Sequence, residues 1–138
     1  MSLLPDKSFC LPVRVYYEDT DAGGIVYYVN YLKFMERART EWLRQLGWQQ
    51  SRLPVIFVVR RVETDYLRPA VLDDLLKVKV ELLAAKGAKL IFHQTIWSDD
   101  ELLCQARVEV ASVDRASLKP CRLPANLAAT LPKPEQPA

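Results

Sequence analysis

From residue 18 the chain reads Glu18-Asp19-Thr20-Asp21-Ala22-Gly23-Gly24-Ile25-Val26-Tyr27-Tyr28-Val29-Asn30-Tyr31. Two aspartates and two glycines lie between a strand-like run and a helix-like run. Glycine lets a backbone come close to a ligand. The first turn of a helix offers unpaired N–H groups and the positive end of a dipole. Such a place can hold an oxyanion. A carboxylate beside it can act as nucleophile or general base. The same residue types also make ordinary turns, so Asp19 and Asp21 can equally serve only to shape the loop.

The elements that must position these residues are legible from periodicity. Val13 to Glu18 is rich in Val and Tyr and reads as a strand, after a loose lead-in of ten residues. From Tyr31 to Leu46, apolar side chains recur at Leu32, Met35, Ala38, Trp42 and Leu46, the i, i+3, i+4 spacing of an amphipathic helix. Asn30 stands where an N-cap belongs and Gly47 where a C′ residue belongs. Such a helix is roughly 24 Å long. After Pro54 the period changes to two. Val55–Tyr66, Leu76–Leu82, Leu90–Trp97 and Leu102–Val110 read as strands, with turns at Leu67–Ala70, Lys86–Lys89 and Ser98–Asp100. Leu90–Trp97 is apolar on both faces and is expected to be central. Strand, long helix, then four strands imply an α+β fold, an antiparallel sheet with the helix laid across one face.

At 138 residues the chain is one domain, large enough to bury roughly 70% of the surface its unfolded form exposes. We expect the domain to occupy residues 1–118, followed by a Pro-rich, partly ordered tail at 119–138. The net charge of +2, with acids interleaved among the arginines, argues against a nucleic-acid partner. No apolar run approaches the roughly 20 residues of a membrane span, and MSLLPDKSF lacks the features of a secretory leader. Cys10, Cys104 and Cys121 are odd in number and widely spaced, so neither a disulfide framework nor a zinc site is implied. These features point to a cytoplasmic protein that needs no metal or other cofactor.

The D-x-D-A-G-G-I-V-Y-Y-x-N-Y stretch, followed by F-M-E-R-A-R-T-E-W-L, resembles the 4-hydroxybenzoyl-CoA thioesterase family. It is most similar to the YbgC-like acyl-CoA thioesterases associated with the Tol-Pal system. A second block resembles the same branch: Phe57-Val58-Val59-Arg60-Arg61, then Tyr66-x-x-Pro69-Ala70-x-x-Asp73-Asp74. The likeness spans residues 12 to 124. It implies a hotdog fold, a sheet wrapped around a long central helix. It also implies acyl-CoA substrates and homodimers or homotetramers with composite active sites. Asp21 matches the family's catalytic aspartate, and Tyr28 the residue whose backbone N–H polarises the thioester carbonyl. Gly23, Gly24, Val58, Val59, Lys86 and Lys89 are the candidate substrate-binding residues; the benzoyl-CoA enzymes use basic residues near the Lys86–Lys89 turn for the CoA phosphates, and Lys89 matches one of them by position. Asp19 matches a structural aspartate.

One departure bears on mechanism. Many YbgC-like members carry His at the position of Tyr28, whereas the benzoyl-CoA branch tends to carry Tyr. The only histidine here, His93, lies in the expected central strand. The backbone donor survives such a change; proton transfer by an imidazole does not, because a phenol with a pKa near 10 is a poor base at neutral pH. A second class of function therefore stands beside hydrolysis: a non-catalytic module that binds acyl thioesters or acyl carrier protein in a membrane-associated complex. Of the remaining candidates, His93 reads as a packed or surface residue and Glu36 as a helix-surface charge. Arg37, Arg39 and Arg44 read as a solvated or interface-facing helix side. Phe34 and Trp42 read as core.

Overall fold

The computed structural model describes Leu3 and residues 8–132. Five strands form one antiparallel sheet: β1 (Phe9–Arg14), β2 (Val55–Tyr66), β3 (Leu75–Lys86), β4 (Lys89–Ser98) and β5 (Glu101–Asp114). Their spatial order is β1-β3-β4-β5-β2, so β4 is central as expected and β1 and β2 are the edges. The long helix α1 (Tyr28–Gln45) crosses one face and packs chiefly on β3 and β1. This is the hotdog arrangement.

Period-two alternation creates the inner face. Leu76, Val78 and Val80 of β3, Leu90, Phe92 and Ile96 of β4, and Ala106, Val108 and Val110 of β5 all point toward the helix and are buried. The helix meets them with Tyr31, Phe34, Met35, Ala38 and Trp42. Trp42 is wholly buried and sets its ring edge-on against Phe92, with centroids 5.3 Å apart. Phe34 and Trp42 are thus core, as their spacing implied. Register shifts at Val59/Arg61 in β2 and Leu82/Ala84 in β3 mark bulges, which bend strands and so help a sheet curl around a helix. Trp42→Ala should destabilise the protein by about 3–5 kcal/mol. Urea unfolding followed by circular dichroism measures this; a loss below about 1 kcal/mol would contradict the placement of Trp42 in the core.

Several boundaries differ from the sequence reading; β3 and β5 run on to Lys86 and Asp114, past the expected Leu82 and Val110. The first strand is Phe9–Arg14 rather than Val13–Glu18, and Tyr17–Asp19 forms a 3₁₀ turn. Pro12 lies inside β1, which is tolerable because β1 is an edge with an unpaired side. The expected lead-in therefore ends earlier, at Ser8; residues 1–2 and 4–7 of it lie outside the described residues. The helix begins at Tyr28, not Tyr31, and Tyr27 occupies the N-cap. Asn30 is inside the first turn, where its side chain serves another purpose. Gly47 does follow the helix with φ of 99°, the left-handed conformation that favours glycine.

After β5 the chain turns back. Pro120 bridges Val113, the Cys121 N–H donates to the Ser112 carbonyl at 3.0 Å, and a single helical turn, α2 (Ala125–Ala128), follows. Leu127 is fully buried against Leu53 and Val55 in a small second core. Residues 133–138, with Pro134 and Pro137, lie outside the described residues.

Candidate active site

Asp19 to Tyr27 forms a tight hairpin whose arms meet at Thr20 and Val26. The Asp21 N–H donates to the Ile25 carbonyl at 2.9 Å, and the Tyr27 N–H to the Asp19 carbonyl at 2.9 Å. Within the tip, one Asp21 carboxylate oxygen accepts the Gly23 N–H at 2.8 Å. A methyl group on Gly23 would sit 3.2 Å from that same oxygen, so a side chain there would crowd the carboxylate. Gly24 has φ of 81°, which any other residue adopts only at a cost. The two glycines thus hold Asp21 in place by different means: one donates a bond, the other makes the turn.

Asp19 does different work. Its side chain is 6% exposed and accepts two hydrogen bonds, from the Tyr16 N–H at 2.8 Å and from Asn30 Nδ2 at 2.9 Å. One carboxylate ties the end of the first strand segment to the first turn of α1. This is why Asn30 is not the cap: its amide is spent on Asp19. The hairpin is further docked on the loop before β3. Ile25 bridges Val71, the Val26 N–H donates to the Ala70 carbonyl at 2.9 Å, and the Ala70 N–H donates to the Tyr31 hydroxyl at 2.9 Å. Loop, helix and β3 are locked together at Ala70.

The hairpin runs directly into Tyr28, the first residue of α1. In its opening turn the Asn30 N–H donates to the Tyr27 carbonyl at 2.8 Å, and helix geometry leaves the Tyr28 and Val29 N–H groups without intrahelical acceptors. Around this point the surface is aromatic. The Tyr28 ring lies 5.0 Å from Tyr27 and 6.0 Å from Tyr66, and Tyr66 lies 5.6 Å from Tyr31. Burial raises the pKa of the Tyr31 and Tyr66 phenols above the ordinary range, so both stay protonated at neutral pH. Tyr28 is 58% exposed and Asp21 is exposed too, so in one protomer the junction opens to solvent.

Sequence reasoning grouped other residues with Asp21 that a single protomer does not bring to it. Lys86 ends β3, whose opposite end starts beside the Asp21 loop; eleven strand steps separate the ends, about 36 Å. Lys89 is at the same far end and pairs with Glu109 at 2.9 Å, which lowers the pKa of the Glu109 carboxyl. Val58 and Val59 lie near the start of β2, while its end, Tyr66, is the part beside Tyr28. His93 is half-buried on β4, across from Glu81 and Arg107. Glu36 is exposed and accepts a bond from the Thr40 hydroxyl at 2.9 Å.

Of the helix arginines, Arg37 and Arg44 are exposed, whereas Arg39 turns partly inward. It is mostly buried and donates to Gln94 Oε1 at 2.8 Å, while Gln94, fully buried on β4, donates to the Met35 carbonyl at 3.0 Å. The signal that could have found this was Gln94 itself, a lone amide in the apolar run Leu90 to Trp97. The three cysteines are free thiols, and burial pushes Cys104 up to a pKa of about 12.

The profile of the thioesterase-like superfamily matches residues 15–131. The acyl-CoA thioesterase YbgC of Haemophilus influenzae is 48% identical over 123 residues, 86% of this chain and 90% of that protein. The chain belongs to this superfamily, in its YbgC branch. The acyl-CoA thioester hydrolase YbgC of Escherichia coli O6:H1 is 46% identical over 125 residues, 88% of this chain and 93% of that one. A crystal structure of a probable thioesterase from Bartonella henselae superposes with a TM-score of 0.81 at 37% identity, covering 85% of this chain and 99% of that one. No helix among the described residues is long and apolar enough to cross a membrane.

Proposed function

We propose that the protein hydrolyses acyl-CoA thioesters at the junction of the Asp19–Tyr27 hairpin with α1. The observation that carries this reading is the fixed hairpin that sets Asp21 opposite Ile25, in the loop that feeds straight into Tyr28. One Asp21 oxygen is held by Gly23, leaving the other for chemistry. The thioester carbonyl oxygen points at the backbone N–H groups around Tyr28. Asp21 either attacks the carbonyl carbon, giving an acyl–aspartyl anhydride that water then cleaves, or takes a proton from a water that attacks directly. In both routes the carbonyl π electrons move to oxygen and return as the C–S bond breaks, and CoA leaves as thiolate. A prepaid donor at the oxyanion is worth about 3–4 kcal/mol. The mechanism asks nothing of the Tyr28 phenol, so replacement of His at that position leaves it intact.

The active form in this reading is a dimer, alone or paired into a tetramer. β2 is a twelve-residue edge strand carrying Val58, Val59 and Val62, each more than a third exposed. A long edge with apolar side chains favours association with another strand. Antiparallel pairing of two β2 edges about a two-fold axis lays the start of one beside the end of the other. The partner subunit's Val58, Val59, Lys86 and Lys89 then fall at the end of the sheet that holds Asp21 and Tyr28. The partner subunit's Val58 and Val59, on the joining edge itself, come nearest, and the partner subunit's Lys89 and Lys86 lie two and three strands farther in. Substrate would lie between subunits, its phosphates toward the partner's lysines. The free cysteines support a reducing, cytoplasmic setting.

The experiment is a panel of short aliphatic, long-chain and aromatic acyl-CoAs with release of CoA thiol as readout. Turnover by a species of twice or four times the chain mass is expected. The competing reading, a module that binds acyl thioesters or acyl carrier protein without cleaving them, draws on the absence of an imidazole at position 28. It predicts saturable acyl-CoA binding with no thiol released.

A further inference from the structure

The turn of α1 that begins at Tyr28 grips both arms of the hairpin that carries Asp21. The outgoing arm is tied directly, through the Asp19 carboxylate to Asn30 Nδ2. The return arm is tied through the next helix residue, Tyr31, by a longer route. The Asp21 N–H donates to the Ile25 carbonyl, the Val26 N–H to the Ala70 carbonyl, and the Ala70 N–H to the Tyr31 hydroxyl, each at 2.9 Å. The route starts at the residue that bears the carboxylate and ends in the same helical turn as Tyr28.

The intermediary is itself anchored. At one end of residues 67–74, the Leu67 and Arg68 N–H groups donate to the Leu103 carbonyl at 2.8 and 3.1 Å. At the other, the Asp73 N–H donates to the Val15 carbonyl at 3.1 Å and the Val15 N–H to the Asp74 carbonyl at 2.9 Å. Among the described residues, the bond to the Tyr31 hydroxyl is the one hydrogen bond between this loop and α1. Val26, Tyr31 and Ala70 are all buried within a single protomer, so the route is complete before any partner subunit is added.

Packing alone does not ask for the hydroxyl. The Tyr31 ring contacts Phe34 and Tyr66, and a phenylalanine ring would serve both contacts equally. What the oxygen adds is the tie to Ala70, and burial keeps the phenol protonated at neutral pH, so that oxygen is a neutral acceptor. Reacting atoms must approach to about 3–3.5 Å, and a misplacement of about 1 Å can cost about 10²-fold in rate. The carboxylate sits on the hairpin and the oxyanion donors on the helix, so the ties between the two set that distance. We infer that Tyr31 is a positioning residue whose hydroxyl, acting through Ala70 and Val26, holds Asp21 in register with the Tyr28 and Val29 N–H groups. This rests on thioester cleavage by Asp21 beside Tyr28.

Tyr31→Phe keeps the ring and removes the acceptor. On the acyl-CoA of the panel with the highest kcat/KM, kcat should fall about 10-fold, with KM within about two-fold of wild type and the assembly state unchanged. In the Asp21→Asn background the same change should lower the residual kcat by less than about two-fold, because a group that acts through Asp21 then has no carboxylate left to place. Wild-type kcat in Tyr31→Phe overturns the inference. So does an equal loss in both backgrounds, which would make the hydroxyl a general support of the fold, or a higher KM at constant kcat, which would assign it to binding. Should the variant be too unstable to assay, hydrogen exchange of the wild type decides: the Val26 and Ala70 amides should exchange together and far more slowly than free amides. An Ala70 amide that exchanges like an exposed one, or independently of Val26, overturns the inference. Absence of thiol release by the wild type from every acyl-CoA defeats the hydrolase reading itself, whereas the other outcomes leave that reading standing.

Discussion

Asp21→Asn is expected to lower kcat for acyl-CoA hydrolysis by about 10³-fold, within the range for loss of a positioned base or nucleophile. The substitution is nearly isosteric. The amide oxygen of Asn can still accept the Gly23 N–H, so the hairpin keeps its shape. The site is exposed, and the melting temperature should move little, within about 0.5 kcal/mol of stability. What disappears is the negative charge: an amide neither attacks a thioester nor takes a proton from water. Acyl-CoA binding, measured by calorimetry on the inactive variant, should remain. A variant with more than a tenth of wild-type kcat would move the chemistry away from Asp21. A variant that has lost both binding and fold would instead make the carboxylate a structural group.

Asp19→Ala should produce the opposite pattern. Here the carboxylate is buried and both oxygens are engaged, so truncation strands the Tyr16 N–H and the Asn30 amide without acceptors. Hydrogen bonds to charged groups contribute about 1.5–3 kcal/mol each, so the loss of two is expected to cost at least about 3 kcal/mol. For a chain of this size that is a fall in Tm of roughly 10 °C. Activity should also fall, because the hairpin that carries Asp21 is no longer tied to α1. Asp19→Asn retains one acceptor oxygen and should lie between. A thermal melt of Asp19→Ala that overlays the wild type would remove the structural role assigned to this residue. Together the two aspartates of one short motif should separate, one lowering kcat at constant stability and the other lowering stability first.

That separation was only half visible in the sequence. Two acids, two glycines and the start of a helix can be read from residues 19–28, and so can the chemistry that such residues permit. Which acid is buried depends on Tyr16 and Asn30 meeting around Asp19, and that meeting is made by the fold. The same limit explains the helix start. Tyr27-Tyr28-Val29 carries no capping side chain, so the pattern pointed to Asn30 as a cap; the backbone entered the helix earlier because the hairpin delivered it there.

Strands β2 to β5 and the body of α1 were determined by the sequence itself. Side chains repeat every two residues on a pleat and every 3.6 on a helix, and burying one face enforces that repeat locally. β1 was displaced because Pro12 and the Tyr16–Tyr17 pair send conflicting local signals that only pairing with β3 resolves. The sequence around Arg39 is charged and shows no partner for it, because Gln94 lies 55 residues away on the central strand. Sequence alone decided which stretches pair and coil. Tertiary structure decided which polar groups face one another, because such contacts join residues whose separation along the chain bears no relation to their distance in space.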